Sequence, residues 1–390
     1  MSWPTVNLGS IAQKIDYGVT ASAIEKDDGP RFLRITDLQD DSVNWNTVPS
    51  CECSEKELEC NLLEEGDIVF ARTGATTGKS YLIRNLLKPT VFASYLIRVK
   101  PSDKVDSLFL SYFFKSPNYW LQINNMANGA AQPGVNSTKL KELKIPLPPL
   151  AEQKRIAAII DKADAIRRKR QQAIQLADQF LRSVFLDMFG DPVTNPKGWE
   201  VNACSNVSNQ ITVGLVIKPA SYYVERGVPA IRSLNIKDTG IDESNFVFFS
   251  QEDNENKLSK SRVYKGDLVI VRSGQPGKAA VIPTSLDGVN AIDVLILRPN
   301  QSIINSEYLA YFFNSGAAKQ IVLSEQRGQI QKHLNVGSLN SAMIPVPPIQ
   351  LQNKFVSILE KVRSNFYVQE KGFNTELFRS LSQKAFAGEL

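Results

Sequence analysis

The chain has 390 residues, 43% of them apolar and 22% charged, with a formal net charge of +5. This is a globular composition, which excludes a disordered or fibrous chain, and the length allows two or three domains. No run of 18 apolar residues occurs and Met1–Leu8 lacks a basic, then apolar start, so neither a membrane span nor a secretory signal is expected and a cytoplasmic location is.

In chain order, Trp3 and Val6–Leu8 open the sequence and Phe32–Thr36 reads as a strand. Cys51, Cys53 and Cys60 cluster next, but zinc needs a fourth ligand and the one histidine is the distant His333. In Glu65–Gly74 a Gly-Asp turn precedes a β-branched run and a polar loop, the pattern of a buried strand with a loop at its end. Leu96–Val99 is strand-like, Leu110–Phe114 a short helix with an aromatic face, and Asn128–Asn136 a polar loop.

Ile145-Pro-Leu-Pro-Pro-Leu150 then leads into a long helical pattern. Pro146, Pro148 and Pro149 hold the entry extended, and Gly190 with Pro192 supplies the stop. Ile156, Ala163, Ala177 and Val184 form one apolar column, Ile159, Ile166, Ala173 and Phe180 a second, and Ile160, Ile174 and Leu181 widen the stripe.

From there the landmarks return about half a chain later. Gly198–Val201, Pro229–Ser233, Lys265–Gly274, Leu295–Arg298, Leu309–Phe313 and the polar loop Arg327–Asn335 follow in the same order. Gln251, Asp253 and Lys260 stand where the first half has its cysteines, so the repeated fold has no need of cysteine there. Ile344-Pro-Val-Pro-Pro-Ile349 precedes a second helical pattern with Phe355, Leu359, Val362, Phe366, Phe373, Leu377, Leu381 and Ala385 on one face, weakened by Gly372. A repeat this large is a duplicated domain. Stripes this long exceed what one small domain covers, so the helices are expected to pack on each other. The expected fold is mixed α+β: globular domains at 1–143 and 191–342, separated by two long antiparallel helices, 144–190 and 343–390, forming a coiled coil.

Chemistry is harder to find. Thr73–Ser80 suggests a phosphate-binding loop, yet the glycine spacing fails, and Ser273–Lys278 departs further from the pattern. Such a loop is better read as a phosphate-backbone contact or a simple turn. The rival reading remains a nucleotide-hydrolysing or DNA-cleaving enzyme using Gly74–Lys79, and a third is a scaffold that binds only protein. A single histidine excludes histidine catalysis in both halves, and Asp27-Asp28 and Asp40-Asp41 read as solvated turns. Arg167–Arg170 is read as a solvated helix face or a phosphate contact. The loops are more suggestive. Arg72, Thr73, Thr76, Thr77, Lys79, Gln132 and Asn136 in the first half are candidate DNA contacts. So are Arg272, Ser273, Gln275, Lys278, Arg327, Gln329, Gln331 and Asn335 in the second. Their amides and guanidiniums suit purine edges in a major groove.

The paired Ile-Pro-Leu-Pro-Pro and Ile-Pro-Val-Pro-Pro motifs, followed by Glu152-Gln153 and Leu351-Gln352, resemble those of a known family. So do the Met188–Trp199 junction and the C-terminal Leu377–Leu381 and Ala385–Leu390. That family is the DNA-specificity subunits of type I restriction–modification systems. The resemblance implies two target-recognition domains, each reading half of a bipartite DNA site. It implies helices that act as spacer and as docking surface for two modification subunits, with Ile156, Ile160, Phe180, Phe355, Leu359 and Phe366 as candidate contacts. It further implies recruited restriction (motor-nuclease) subunits. S-adenosylmethionine, ATP and Mg would then belong to those partners, leaving this chain with no catalytic residue, no metal and no cofactor of its own.

Overall fold

The computed structural model describes residues 3–24, 29–39, 41–127, 134–316, 320–321, 334–366 and 375–390. The chain divides into two compact units, Met1–Arg170 with Gly372–Leu390, and Gln171–Lys371.

In the first unit the run Ile68–Ala71 is a central strand with all four residues buried. It lies in an antiparallel sheet ordered Ala12–Tyr17, Leu96–Pro101, Ile68–Ala71, Ser80–Leu82. Because side chains alternate across a strand, Ile68 and Phe70 face one layer and Val69 the other. The first layer holds Phe109 and Phe113 of the helix Ser107–Phe113, with Phe114 and Tyr119 just beyond. The second holds Leu33 and Phe92. These come from another sheet, ordered Ala23–Ile24, Ser50–Cys51, Arg31–Leu33, Thr90–Phe92.

The second unit repeats this plan. Its sheet runs Ser208–Val213, Val294–Pro299, Leu268–Val271, Ala279–Val281. Leu268 and Ile270 pack with Tyr308, Phe312 and Phe313, while Val269 and Val271 pack with Ile231 and Ala291. Each Ile-Pro motif is a closing strand: Lys144–Pro146 pairs antiparallel with Thr5–Asn7, and Met343–Val346 with Glu200–Ala203.

The helix Leu150–Phe189 has 40 residues, about 60 Å at 1.5 Å per residue. The C-terminal pattern is described as two helices, Ile349–Phe366 and Thr375–Ala387, with Gly372 and Phe373 outside the described residues. In the second unit Phe355, near the start of its helix, meets Phe185 and Phe189 at the end of the long one, ring centroids 5.4 and 5.6 Å apart. In the first unit Arg155 donates to the Leu390 carbonyl at 3.0 Å, and the Arg167 guanidinium lies 5.6 Å from the Phe378 ring centre. Both sets of contacts are antiparallel.

The helices do pack on each other, as expected, but helix is not all that covers their stripes. Ile156 and Ile160 are buried in the first unit's core beside Phe109, and Phe355 and Leu359 in the second unit's core beside Tyr308. The helix ends therefore rest on the globular layers as well as on helix. Further along the long helix, Ile166 and Phe180 are exposed, by 64% and 52%. Arg167 and Arg168 both reach Asp164, at 2.8 and 3.4 Å, so part of the basic cluster is neutralised locally.

Candidate nucleic-acid interface

In each unit the loop after the central strand meets the segment that leaves the later polar loop. In the first unit the Val135 amide donates to the Arg72 carbonyl at 3.0 Å, and Thr73 forms an antiparallel bridge with Gly134. In the second the Leu334 amide donates to the Arg272 carbonyl at 2.9 Å. Two candidate stretches far apart in sequence thus converge. Gln132, Arg327, Gln329 and Gln331 themselves lie outside the described residues, as does His333.

The loops are hairpin connections. Ala71 donates to the Lys79 carbonyl, and Val271 to the Lys278 carbonyl, both at 2.8 Å. Tyr119 ties down the first by donating its hydroxyl to the Gly78 carbonyl. Thr77 turns its hydroxyl inward to the Gly74 carbonyl at 2.7 Å. Thr73, Lys79, Ser273 and Gln275 are exposed, and Thr76 is half-buried in a 3-10 turn. The chain continues from this loop into the strand Ser80–Leu82 and not into a helix, unlike a phosphate-binding loop, whose glycine turn opens a helix.

Charge is presented differently in the two units. The Arg72 guanidinium lies 5.2 Å from the Tyr17 ring centre. The Tyr17 hydroxyl accepts a 3.0 Å bond from the Ser137 amide. Burial pushes the Tyr17 phenol up, but its bonds to Ser137 and the nearby Arg72 charge leave it below the ordinary tyrosine value. Arg272 instead donates to Asp293 at 2.7 Å, and Lys278 approaches Asp238 at 3.5 Å. Tyr17 and Asp293 were not singled out from sequence. An aromatic residue directly before Gly18 was the available signal for the first.

Asn136 and Asn335 have a structural duty. Each side-chain carbonyl accepts a 2.8 Å bond from the backbone three residues on, Lys139 and Ser338, capping the helices Ser137–Lys141 and Val336–Ser341. That carbonyl is committed to the cap, which leaves the amide nitrogen as the group free to face a ligand. Among the candidate docking residues, Ile156, Ile160, Phe355 and Leu359 are at most 1% exposed and offer no surface to another subunit, whereas Phe180 and Phe366 are exposed. Among the described residues no group of three or more His, Cys, Asp or Glu could hold a metal ion. Cys51 is buried on its strand beside Val19 and Phe32. Also among the described residues, no helix is long and apolar enough to cross a membrane.

The family model of the type I restriction modification DNA specificity domain matches residues 2–176 and again 196–377. The EcoBI specificity subunit of Escherichia coli is 24% identical, covering 100% of this chain and 86% of that subunit. The EcoKI specificity subunit of E. coli strain K12 is also 24% identical, over 94% of this chain and 83% of its own length. A crystal structure of a type I restriction-modification S subunit from M. genitalium shares the fold with a TM-score of 0.62, at 16% identity, over 99% of this chain and 96% of that one.

Proposed function

The chain belongs to the family of the type I restriction modification DNA specificity domain, and we propose that its two repeats read the two halves of one bipartite DNA site. It is a specificity subunit: it recognises DNA sequence and does no chemistry itself. The observation that carries the bipartite reading is the convergence, in each unit, of the Arg72 or Arg272 loop with the segment leaving the later polar loop. Exposed Lys79 and Thr73 suit phosphate contacts that set register, and the amide-bearing loops suit base edges. Nothing favours the Gly74–Lys79 enzyme.

On this reading two modification subunits dock on the helices and on the surfaces beside them, and restriction subunits join that assembly in the cytoplasm. S-adenosylmethionine, ATP and Mg are held by those partners. The test is methylome sequencing of a host carrying the complete system, before and after exchange of residues 1–143 for those of another specificity subunit. One half-site should change and the other persist. A change in both halves, or in neither, overturns the bipartite reading. Arg327→Ala or Gln331→Ala should relax the second half-site alone, at about 1–3 kcal/mol per lost base contact.

A further inference from the structure

Ile217 is 77% exposed, the most exposed large apolar side chain among the described residues, and Val216 beside it is 47% exposed. A single exposed isoleucine needs no explanation by itself. Its setting gives it one.

The backbone on both sides of Ile217 is pinned. Upstream, Gly214 crosses the Ala291 carbonyl so closely that a Cβ would sit 2.4 Å from that oxygen, so only glycine fits. Leu215 donates to the Ala291 carbonyl at 2.8 Å and accepts from the Asp293 amide at 3.1 Å. Downstream, Lys218 is left-handed at φ 45°, and its carbonyl accepts from the Ser221 amide and hydroxyl at 3.0 and 2.8 Å. Asp293, which holds Leu215, is the residue whose carboxylate takes the Arg272 guanidinium. The apolar tip is therefore fixed on the same support as the arginine loop of the second recognition domain, with Lys218 next to it.

We propose that Ile217 contacts bases directly in the second half-site, packing against the C5-methyl of a thymine in the major groove. This rests on the reading of residues 191–342 as a DNA reader. An aliphatic tip has no bond to offer a phosphate, and the thymine methyl is the one apolar group on the major-groove edges of the bases. The first domain lacks the device. Val19 makes the corresponding bonds, to the Phe92 carbonyl and from the Ser94 amide, both 2.8 Å. Two residues on stands Ala21, half-buried against the cluster of Phe32 and Val91. This particular methyl contact is thus expected in the half-site read by residues 191–342 alone.

The test uses the chain assembled with its modification subunits and a duplex carrying the methylated sequence, with each thymine replaced in turn by uracil. One position in the half-site specified by residues 191–342 should weaken binding about fourfold, the worth of one buried methyl group. The Ile217→Ala assembly should bind the unsubstituted duplex about as weakly and ignore that uracil. Ile217→Val should retain most of the effect, and all three proteins should share one salt slope. The proposal is overturned if no uracil in that half-site matters to the wild-type assembly. It is equally overturned if Ile217→Ala keeps wild-type sensitivity, or if only the salt slope changes. A wild-type assembly that binds the site with no methyl dependence removes this inference and leaves bipartite recognition standing; one that fails to bind the duplex at all removes both.

Discussion

Gln153 and Gln352 make the same set of hydrogen bonds at equivalent places in the two repeats. The Gln153 side-chain carbonyl accepts from the Asp106 amide at 2.8 Å, and its nitrogen donates to the Pro148 and Lys104 carbonyls at 2.8 and 3.3 Å. Gln352 accepts from Asn305 at 2.8 Å and donates to Pro347 and Ile303 at 2.7 and 3.1 Å. Both are buried, by 99% or more of their surface. Each glutamine ties the first turn of the helix that follows its Pro-Pro motif to the loop that begins the aromatic helix.

Replacing either glutamine with leucine keeps the volume but orphans a buried amide and a buried carbonyl. At about 1–3 kcal/mol per orphaned group, a loss of about 2–6 kcal/mol is expected for the unit concerned. Urea unfolding of the purified chain reads it as a lower midpoint. A midpoint unchanged in both Gln153→Leu and Gln352→Leu would show that these bonds do not hold helix to domain.

The repeat, the central strands and the helices were legible in the sequence because each rests on local periodicity. Ile68–Ala71 and Leu268–Val271 are buried on both faces, so their apolar runs are continuous, and Gly190 and the prolines mark where the long helix starts and stops. The coverage of the helix stripe was not legible. Periodicity shows that Ile156 and Ile166 share a helix, but the packing partner decides which one is buried. The caps at Asn136 and Asn335 were likewise hidden, since an asparagine before a short helix and one in a recognition loop look alike in sequence. Tyr17 meets Ser137 only because the fold joins positions remote along the chain.

Lys79 is exposed at the hairpin tip, and its backbone amide, not its side chain, holds the turn through Thr76 at 2.9 Å. Lys79→Ala should therefore leave stability unchanged and weaken binding to cognate and random duplex alike. The slope of log affinity against log salt should fall by about 1, the mark of one lost phosphate contact. A loss confined to the cognate duplex would instead make Lys79 a base reader.

The cysteines should separate by burial. Burial, with Cys53 and Glu57 adding to it, pushes the Cys51 thiol up to about 11, and burial alone pushes Cys204 up to about 12, whereas Cys60 is exposed. The thiolate is the reactive form, so raising these values suppresses reaction at neutral pH in addition to blocking access. Iodoacetamide at pH 8 followed by peptide mass spectrometry should label Cys60 in the folded chain, and Cys51 and Cys204 only after denaturation. A chelator should not alter that pattern. If chelation exposes Cys51, a metal had been holding the cluster.

The long helix contributes its first part to one unit and the remainder to the other. On the proposed reading it sets the number of unread base pairs between half-sites. Deleting seven residues from its middle, with an equal deletion in the C-terminal helical segment, keeps the apolar stripe in phase because seven residues is close to two turns. The strut shortens by about 10 Å, which on a duplex of roughly 34 Å per turn is about three base pairs. Methylome sequencing should then find both half-sites unchanged with a spacer shorter by about three. Altered half-site bases, or an unchanged spacer in an active assembly, would mean that the gauge is set by something other than this helix.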